Sequence, residues 1–149
     1  MSEGTQLSLF KGKRQRGEGV PPPREFAIHC ALADMIRRWI MPGWVWTHFP
    51  AGEARPAVSY AGRRVSITGF RLKRMGLNPG FPDFQFFSVE GPCAFLELKR
   101  QGQKLSDEQQ EIAEALIAAG HLYLVTDDFK EAVERLTAWG VLRAGVAVQ

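Results

Sequence analysis

The tightest constraint on this chain lies between residues 83 and 139, where the hydrophobic period changes three times. Asp83–Val89 and Cys93–Lys99 read as two strands joined through Glu90-Gly91-Pro92. Ser106–Ala119 reads as a helix closed by Gly120, with Ile112, Ala113, Leu116 and Ile117 at helical spacing. His121–Thr126 is a short buried strand with Leu122, Tyr123, Leu124 and Val125 in a row, and Asp128–Trp139 is a last helix before Gly140. Upstream, Ile28, Leu32, Met35, Ile36, Trp39 and Ile40 mark a helix over Arg24–Ile40 that Pro42-Gly43 stops. Trp44–Phe49 is aromatic and β-branched, a strand, and Ser66–Met75 is a short basic helix ended by Gly76. The order α-β-(basic insert)-β-β-α-β-α, without internal repeats, predicts an α/β fold: a mixed central sheet flanked by helices.

At 149 residues, with 45% hydrophobic residues, the chain has room for one domain with a real core. Residues 1–23 are rich in Gly, Ser, Lys, Arg and Pro and read as a flexible basic tail, leaving 24–149 as the folded domain. No apolar run reaches the roughly 18 residues that span a bilayer, and the polar N-terminus lacks the apolar stretch of a secretory leader, so a cytoplasmic protein is expected. Two cysteines, Cys30 and Cys93, make neither a disulfide framework nor a four-ligand zinc site.

The net charge of +3 conceals an asymmetry. Residues 1–104 carry 16 Lys and Arg against 8 Asp and Glu, whereas residues 105–149 carry 3 against 8. Within the cationic part, Arg55, Arg63, Arg64, Arg71, Lys73 and Arg74 follow one another with no acid between Arg55 and Arg74. Such a stripe suits a polyanion, because phosphate contacts release condensed counterions, and it equally suits a solvated surface.

Alternation along Ala94–Lys99 puts Ala94, Leu96 and Leu98 on one side of a strand and Phe95, Glu97 and Lys99 on the other. A lone Glu-x-Lys is commonplace. Here it follows Asn78-Pro79-Gly80-Phe81-Pro82-Asp83, a turn that delivers a second carboxylate to the start of a neighbouring strand. Two converging carboxylates suit a hard cation such as Mg²⁺, and a lysine beside them can hold a phosphate oxygen or the attacking water. Glu25 lies on or beside the buried stripe of the first helix, where a first-turn acid also complements the helix dipole. Gln109 faces two readings: a site residue, or the far end of a capping box with Ser106. His29, His48 and His121 show no metal-like spacing and read as structural or surface residues; Cys30 reads as packing, and Trp39, Trp44, Trp46 and Trp139 as core or interface aromatics.

Taken jointly, Gly76…Gly80-Phe81-Pro82-Asp83, Phe95-Leu96-Glu97-Leu98-Lys99 and Leu105-Ser106-Asp107-Glu108-Gln109 resemble the VRR-NUC branch of the PD-(D/E)XK nucleases over about Arg24–Trp139. The resemblance implies a restriction-endonuclease-like αβββαβ core and a metal-dependent DNA endonuclease, structure-specific for branched or Holliday-junction-like DNA, leaving 5′-phosphate and 3′-hydroxyl ends. It implies that Asp83, Glu97, the Leu98 carbonyl and Glu25 serve Mg²⁺, for which Mn²⁺ substitutes, that Lys99 orients or activates water, and that Gln109 sits near the scissile phosphate. The basic insert would then grip backbone phosphates. Stand-alone relatives resemble junction resolvases, whose paired cuts imply a homodimer. One departure stands out: His48-Phe49-Pro50-Ala51-Gly52 replaces the proline-asparagine turn often found after the first strand.

In the tail, Gln6-Leu7-Ser8-Leu9-Phe10 resembles the pentapeptide by which bacterial replication and repair proteins dock on the DNA polymerase sliding clamp. Leu9 and Phe10 would enter an apolar pocket, with Leu7 and Gln6 beside it, and the tether would raise local concentration on DNA. Two other readings stand beside the nuclease: a clamp-tethered DNA-binding module without cleavage, and an RNA-directed toxin or restriction-like nuclease on the same core.

Overall fold

A computed structural model describes residues 24–50 and 58–146. The elements in chain order are α1 (Arg24–Trp39), β1 (Trp44–His48), β2 (Val58–Tyr60), β3 (Arg63–Val65), α2 (Ile67–Arg74), β4 (Phe84–Ser88), β5 (Ala94–Leu98), α3 (Asp107–Ala118), β6 (Leu122–Thr126) and α4 (Phe129–Ala138). The expected helices and strands all form, and the clamp-like segment Gln6–Phe10 and Arg55 lie outside the described residues.

The four long strands make one mixed sheet in the order β1-β4-β5-β6. β1 pairs antiparallel with β4, and β4 with β5, while β5 and β6 run parallel with Glu97 opposite Val125. α3 supplies the crossover that a parallel pair requires. Register places Trp46, Phe84, Phe86, Ala94, Leu96, Leu98, Leu122 and Leu124 on one face. α1 and α4 close over that face: Leu32, Met35 and Ile36 meet Ala132, Val133 and Leu136 in a single core with Val141 and Leu142. Trp39, Trp44, Trp46 and Trp139 pack around its edge, as their aromatic bulk suggested. On the opposite face α3 covers β5 and β6 but stops short of β1, so β5 is buried throughout while β1 alternates and leaves Val45 exposed.

The basic insert contains a feature the sequence did not announce, a separate two-stranded hairpin, β2–β3. Its turn, Ala61-Gly62, takes positive φ at both residues (49° and 75°). A turn of this kind ordinarily advertises itself through Asn or Asp followed by Gly; alanine in the first place hides it.

Candidate active site

The site assembles at the C-terminal end of β5. Asp83 is held by three backbone contacts before it can offer its carboxylate. Its carbonyl accepts from Phe49 N–H at 2.7 Å, which ties it to the end of β1. Its own N–H donates to Glu97 Oε2 at 3.2 Å, and its Oδ2 accepts from Leu98 N–H at 2.9 Å. The turn that delivers it is closed by Asn78, whose Oδ1 accepts from Gly80 N–H at 3.0 Å. Gly80 is required by space: a Cβ there would lie 2.5 Å from the Glu108 carbonyl oxygen of α3. The close approach locks the turn against the same helix that carries Gln109.

Glu97 is the most deeply placed charge among the described residues, 3% exposed. Its Oε1 accepts from Lys99 Nζ at 3.0 Å and from Gln109 Nε2 at 2.6 Å. Burial is the main force holding its carboxyl above the usual carboxylate range; the negative charge of Asp83 adds to it, and Lys99 opposes both. Alternation along β5 thus puts Glu97 and Lys99 side by side as expected.

Gln109 completes the capping box and also reaches the acid–lysine pair. Its N–H donates to Ser106 Oγ at 3.3 Å, while its Oε1 accepts from Ser106 N–H at 3.0 Å, completing a capping box. The same Oε1 accepts from Lys99 Nζ at 2.6 Å, and Nε2 turns to Glu97. One amide therefore fixes the start of α3 and the geometry of the acid–lysine pair together. Spacing favoured the cap; only the sheet brings Glu97 and Lys99 up to it.

Leu98 enters through its N–H on Asp83. Glu25 stands in the first turn of α1, four residues before His29, with its side chain outside the described set. Arg63, Arg71, Lys73 and Arg74 are exposed on β3 and α2, and none of them lines the cleft above the carboxylates; the side chain of Arg64 lies outside the described set. The cleft, about 900 Å³, draws its cations instead from Lys99, Arg100 and Arg37.

Two of the histidines are brought together by the fold. His29 Nδ1 and His48 Nε2 are 3.2 Å apart, and His29 Nε2 lies 3.6 Å from Asp83 Oδ2. Both histidines line the same cleft as Glu97 and Lys99. They are remote in the chain and meet because α1 crosses the ends of β1 and β4, a proximity no spacing rule reports. The one sequence signal was His29 falling a helical turn after Glu25. His121 does keep a structural place, its Nδ1 accepting from Cys93 N–H at 3.3 Å. Tyr123 was also missed. It shares the face of Glu97, and burial, then the charges of Glu97 and Asp83, push its phenol upward, so it is a neutral hydroxyl facing two acids.

Comparison with protein-family models, with curated proteins and with solved structures found no match.

The donor set is one that a hard cation could use. Two carboxylates, one raised above its usual range by its neighbour and by burial, sit against an ammonium group and open onto a cleft. Excess negative charge in a dry environment is what a divalent cation relieves, and oxygen donors suit Mg²⁺ or Mn²⁺.

Proposed function

We propose that the chain is a metal-dependent nuclease that hydrolyses DNA phosphodiester bonds, with a restriction-endonuclease-like core of the VRR-NUC kind. The observation that carries the reading is the convergence of Asp83, Glu97, Lys99 and Gln109, from three elements, into one hydrogen-bonded group at a strand end above a cleft. Asp83 and Glu97 would hold Mg²⁺, or Mn²⁺ in its place, with the Leu98 carbonyl and Glu25 as further donors. The bound ion would lower the pKa of water and polarise the phosphoryl oxygen.

The protein's own groups have distinct tasks. Lys99 presents its ammonium toward the phosphate oxygens, where negative charge builds as water attacks in line. Gln109 fixes the Lys99 ammonium and one Glu97 oxygen relative to each other, so neither has to reorganise during reaction. Asp83, held through its backbone and one carboxylate oxygen, offers a preset ligand geometry. Arg100 and Arg37 in the cleft would take phosphates flanking the cut, while Arg71, Lys73 and Arg74 on α2 would grip the backbone farther along. Branched DNA as substrate, docking on a sliding clamp through Gln6–Phe10 and pairing of two copies belong to the same proposal. No helix among the described residues is long and apolar enough to cross a membrane.

The exposed cations of α2 also favour a second reading, DNA binding without cleavage, since they stand apart from the catalytic group. End-labelled linear, flap and four-way DNA, and RNA of the same sequence, separate the two when incubated with Mg²⁺, Mn²⁺ or EDTA. Metal-dependent cutting of DNA that falls by about 10²–10³-fold or more in Asp83→Ala and Lys99→Ala is the expected result. Binding with no cutting in either metal supports the second reading, and a preference for RNA supports a different nuclease.

A further inference from the structure

Asp83 has a second neighbourhood besides the carboxylate pair. Its carboxylate also lies near two imidazoles. One ligand atom from each of His29, His48 and Asp83 can be chosen so that all three lie within 4.8 Å of one another. We propose that these three residues form a cation position of their own, selective for imidazole-accepting divalent ions, with Asp83 shared between it and the oxygen-rich position at Glu97.

Three features of the geometry carry this. The spacing fits: two ligands bound at about 2.0–2.2 Å with a near-tetrahedral angle between them stand about 3.3–3.5 Å apart. The observed separations are 3.2 Å between His29 Nδ1 and His48 Nε2 and 3.6 Å between His29 Nε2 and Asp83 Oδ2. The two separations use different nitrogens of His29, of which one ion can take only one; one ligand pair therefore already stands at ion-binding spacing, and all three chosen atoms lie within 4.8 Å. The rings are also fixed before any ion arrives. Phe84, fully buried beneath them, packs against His29 at 5.5 Å and His48 at 5.3 Å between ring centres. Asp83 is held by Leu98 N–H, the kind of outer contact that orients a ligating carboxylate. Finally, all three residues are partly buried on the wall of the cleft, which leaves an entry path and room for water or a phosphate oxygen to complete the coordination.

The donor set decides which ion. Two imidazoles and a carboxylate suit Mn²⁺, Fe²⁺, Co²⁺ or Zn²⁺, whereas Mg²⁺ and Ca²⁺ favour all-oxygen surroundings. The Glu97 side and the histidine side of Asp83 therefore differ in taste. A shared carboxylate is also how two ions are held a few ångströms apart in hydrolytic two-metal sites. This inference rests on the nuclease reading only for Asp83 serving the first position; the histidine position itself can be tested without nucleic acid.

The test is a titration of the metal-free full chain with Co²⁺, followed by its visible absorption, with 10 mM Mg²⁺ present throughout to fill oxygen-only positions. The expected result is one equivalent of Co²⁺ with a nitrogen-ligand spectrum, its affinity falling at least about 10-fold in His29→Ala and in His48→Ala and persisting in Glu97→Gln. Absorption that is absent from the wild type, or that both histidine variants retain with wild-type affinity, overturns the proposal. A wild-type measurement guards against variants that fail to fold: histidine side-chain NMR during Zn²⁺ addition. Shifts of His29 and His48 near one equivalent, with His121 unmoved, support the site; no shift, or equal shifts of all three, overturn it. Cleavage with Mg²⁺ but no histidine-dependent Co²⁺ binding sinks this inference and spares the nuclease. Histidine-dependent binding with no cleavage in any metal does the reverse.

Discussion

β5 is buried on both of its faces, for opposite reasons. Ala94, Leu96 and Leu98 meet the side chains of α1 and α4 and need nothing but contact. On the other side Glu97 is almost as deep, yet each of its oxygens is matched to a donor: Lys99, Gln109 and the Asp83 N–H. Apolar burial is non-directional and tolerates many side chains of suitable volume. Polar burial demands partners at set distances, and a single missing one leaves an uncompensated group. β5 thus joins the apolar core on one side and the hydrogen-bonded acid on the other.

The comparison breaks most visibly on the apolar face. Leu96→Ala removes a fully buried side chain from the middle of the sheet and is expected to cost about 2–5 kcal/mol, a fall in Tm on the order of 10 °C by differential scanning calorimetry. A shift under about 2 °C would mean that the core described around β5 is not the one that holds the molecule together.

On the polar side the largest expected effect comes from a residue with no side chain. Gly80→Ala places a methyl group against the Glu108 carbonyl, which is backbone and cannot swing away. The turn or the first part of α3 must shift, at about 1–3 kcal/mol. Because Gln109 follows immediately, the metal-dependent DNA cleavage proposed above should fall further than stability suggests, which a cleavage measurement well below the variant's Tm would reveal.

Glu97 sharpens the contrast through pH. Its carboxyl is raised in the folded state, so the native protein holds that proton more tightly than the unfolded chain. Stability from this group is therefore greatest at low pH and is lost as pH climbs from the ordinary glutamate value of 4.5 toward the raised one. Glu97→Gln removes that dependence. In EDTA, the Tm difference between variant and wild type should move in the variant's favour from pH 4 to pH 7; a constant difference would show that Glu97 is not strained by burial and by Asp83.

The smallest effect belongs to Tyr123. Its hydroxyl is buried and has no hydrogen-bond partner among the described residues. Tyr123→Phe should change stability by no more than about 0.5 kcal/mol in urea denaturation, and a loss above 1.5 kcal/mol would reveal a hydrogen bond to one of the two acids.

Most of the fold was legible because it depends on periodicity, which sequence displays directly. Helical stripes at Leu32 and Ile36 and at Val133 and Leu136 each name a buried face, whereas Ile112 and Leu116 are half-buried around Ala113 and Ile117 stays exposed; strand alternation in Ala94–Lys99 separates the α1–α4 core face from the face that carries Glu97 and Lys99. The β2–β3 hairpin was not legible, since three-residue strands show little period and Ala61 occupies a backbone region usually reserved for glycine or asparagine.

Of the site, the sequence by itself determined the pairs that are neighbours along the chain: Glu97 with Lys99 across one strand residue, and Ser106 with Gln109 across one helical turn. Local geometry is set by bond lengths and by the repeat of each element, so spacing alone suffices. Tertiary structure decided everything that joins those pairs. It set Gln109 against Glu97 and Lys99, brought Asp83 N–H to Glu97, and gathered His29, His48 and Asp83 from α1, β1 and the start of β4. Those contacts depend on how the sheet orders its strands and where helices cross their ends. That order is the outcome of packing the whole core, and no short stretch of sequence contains it.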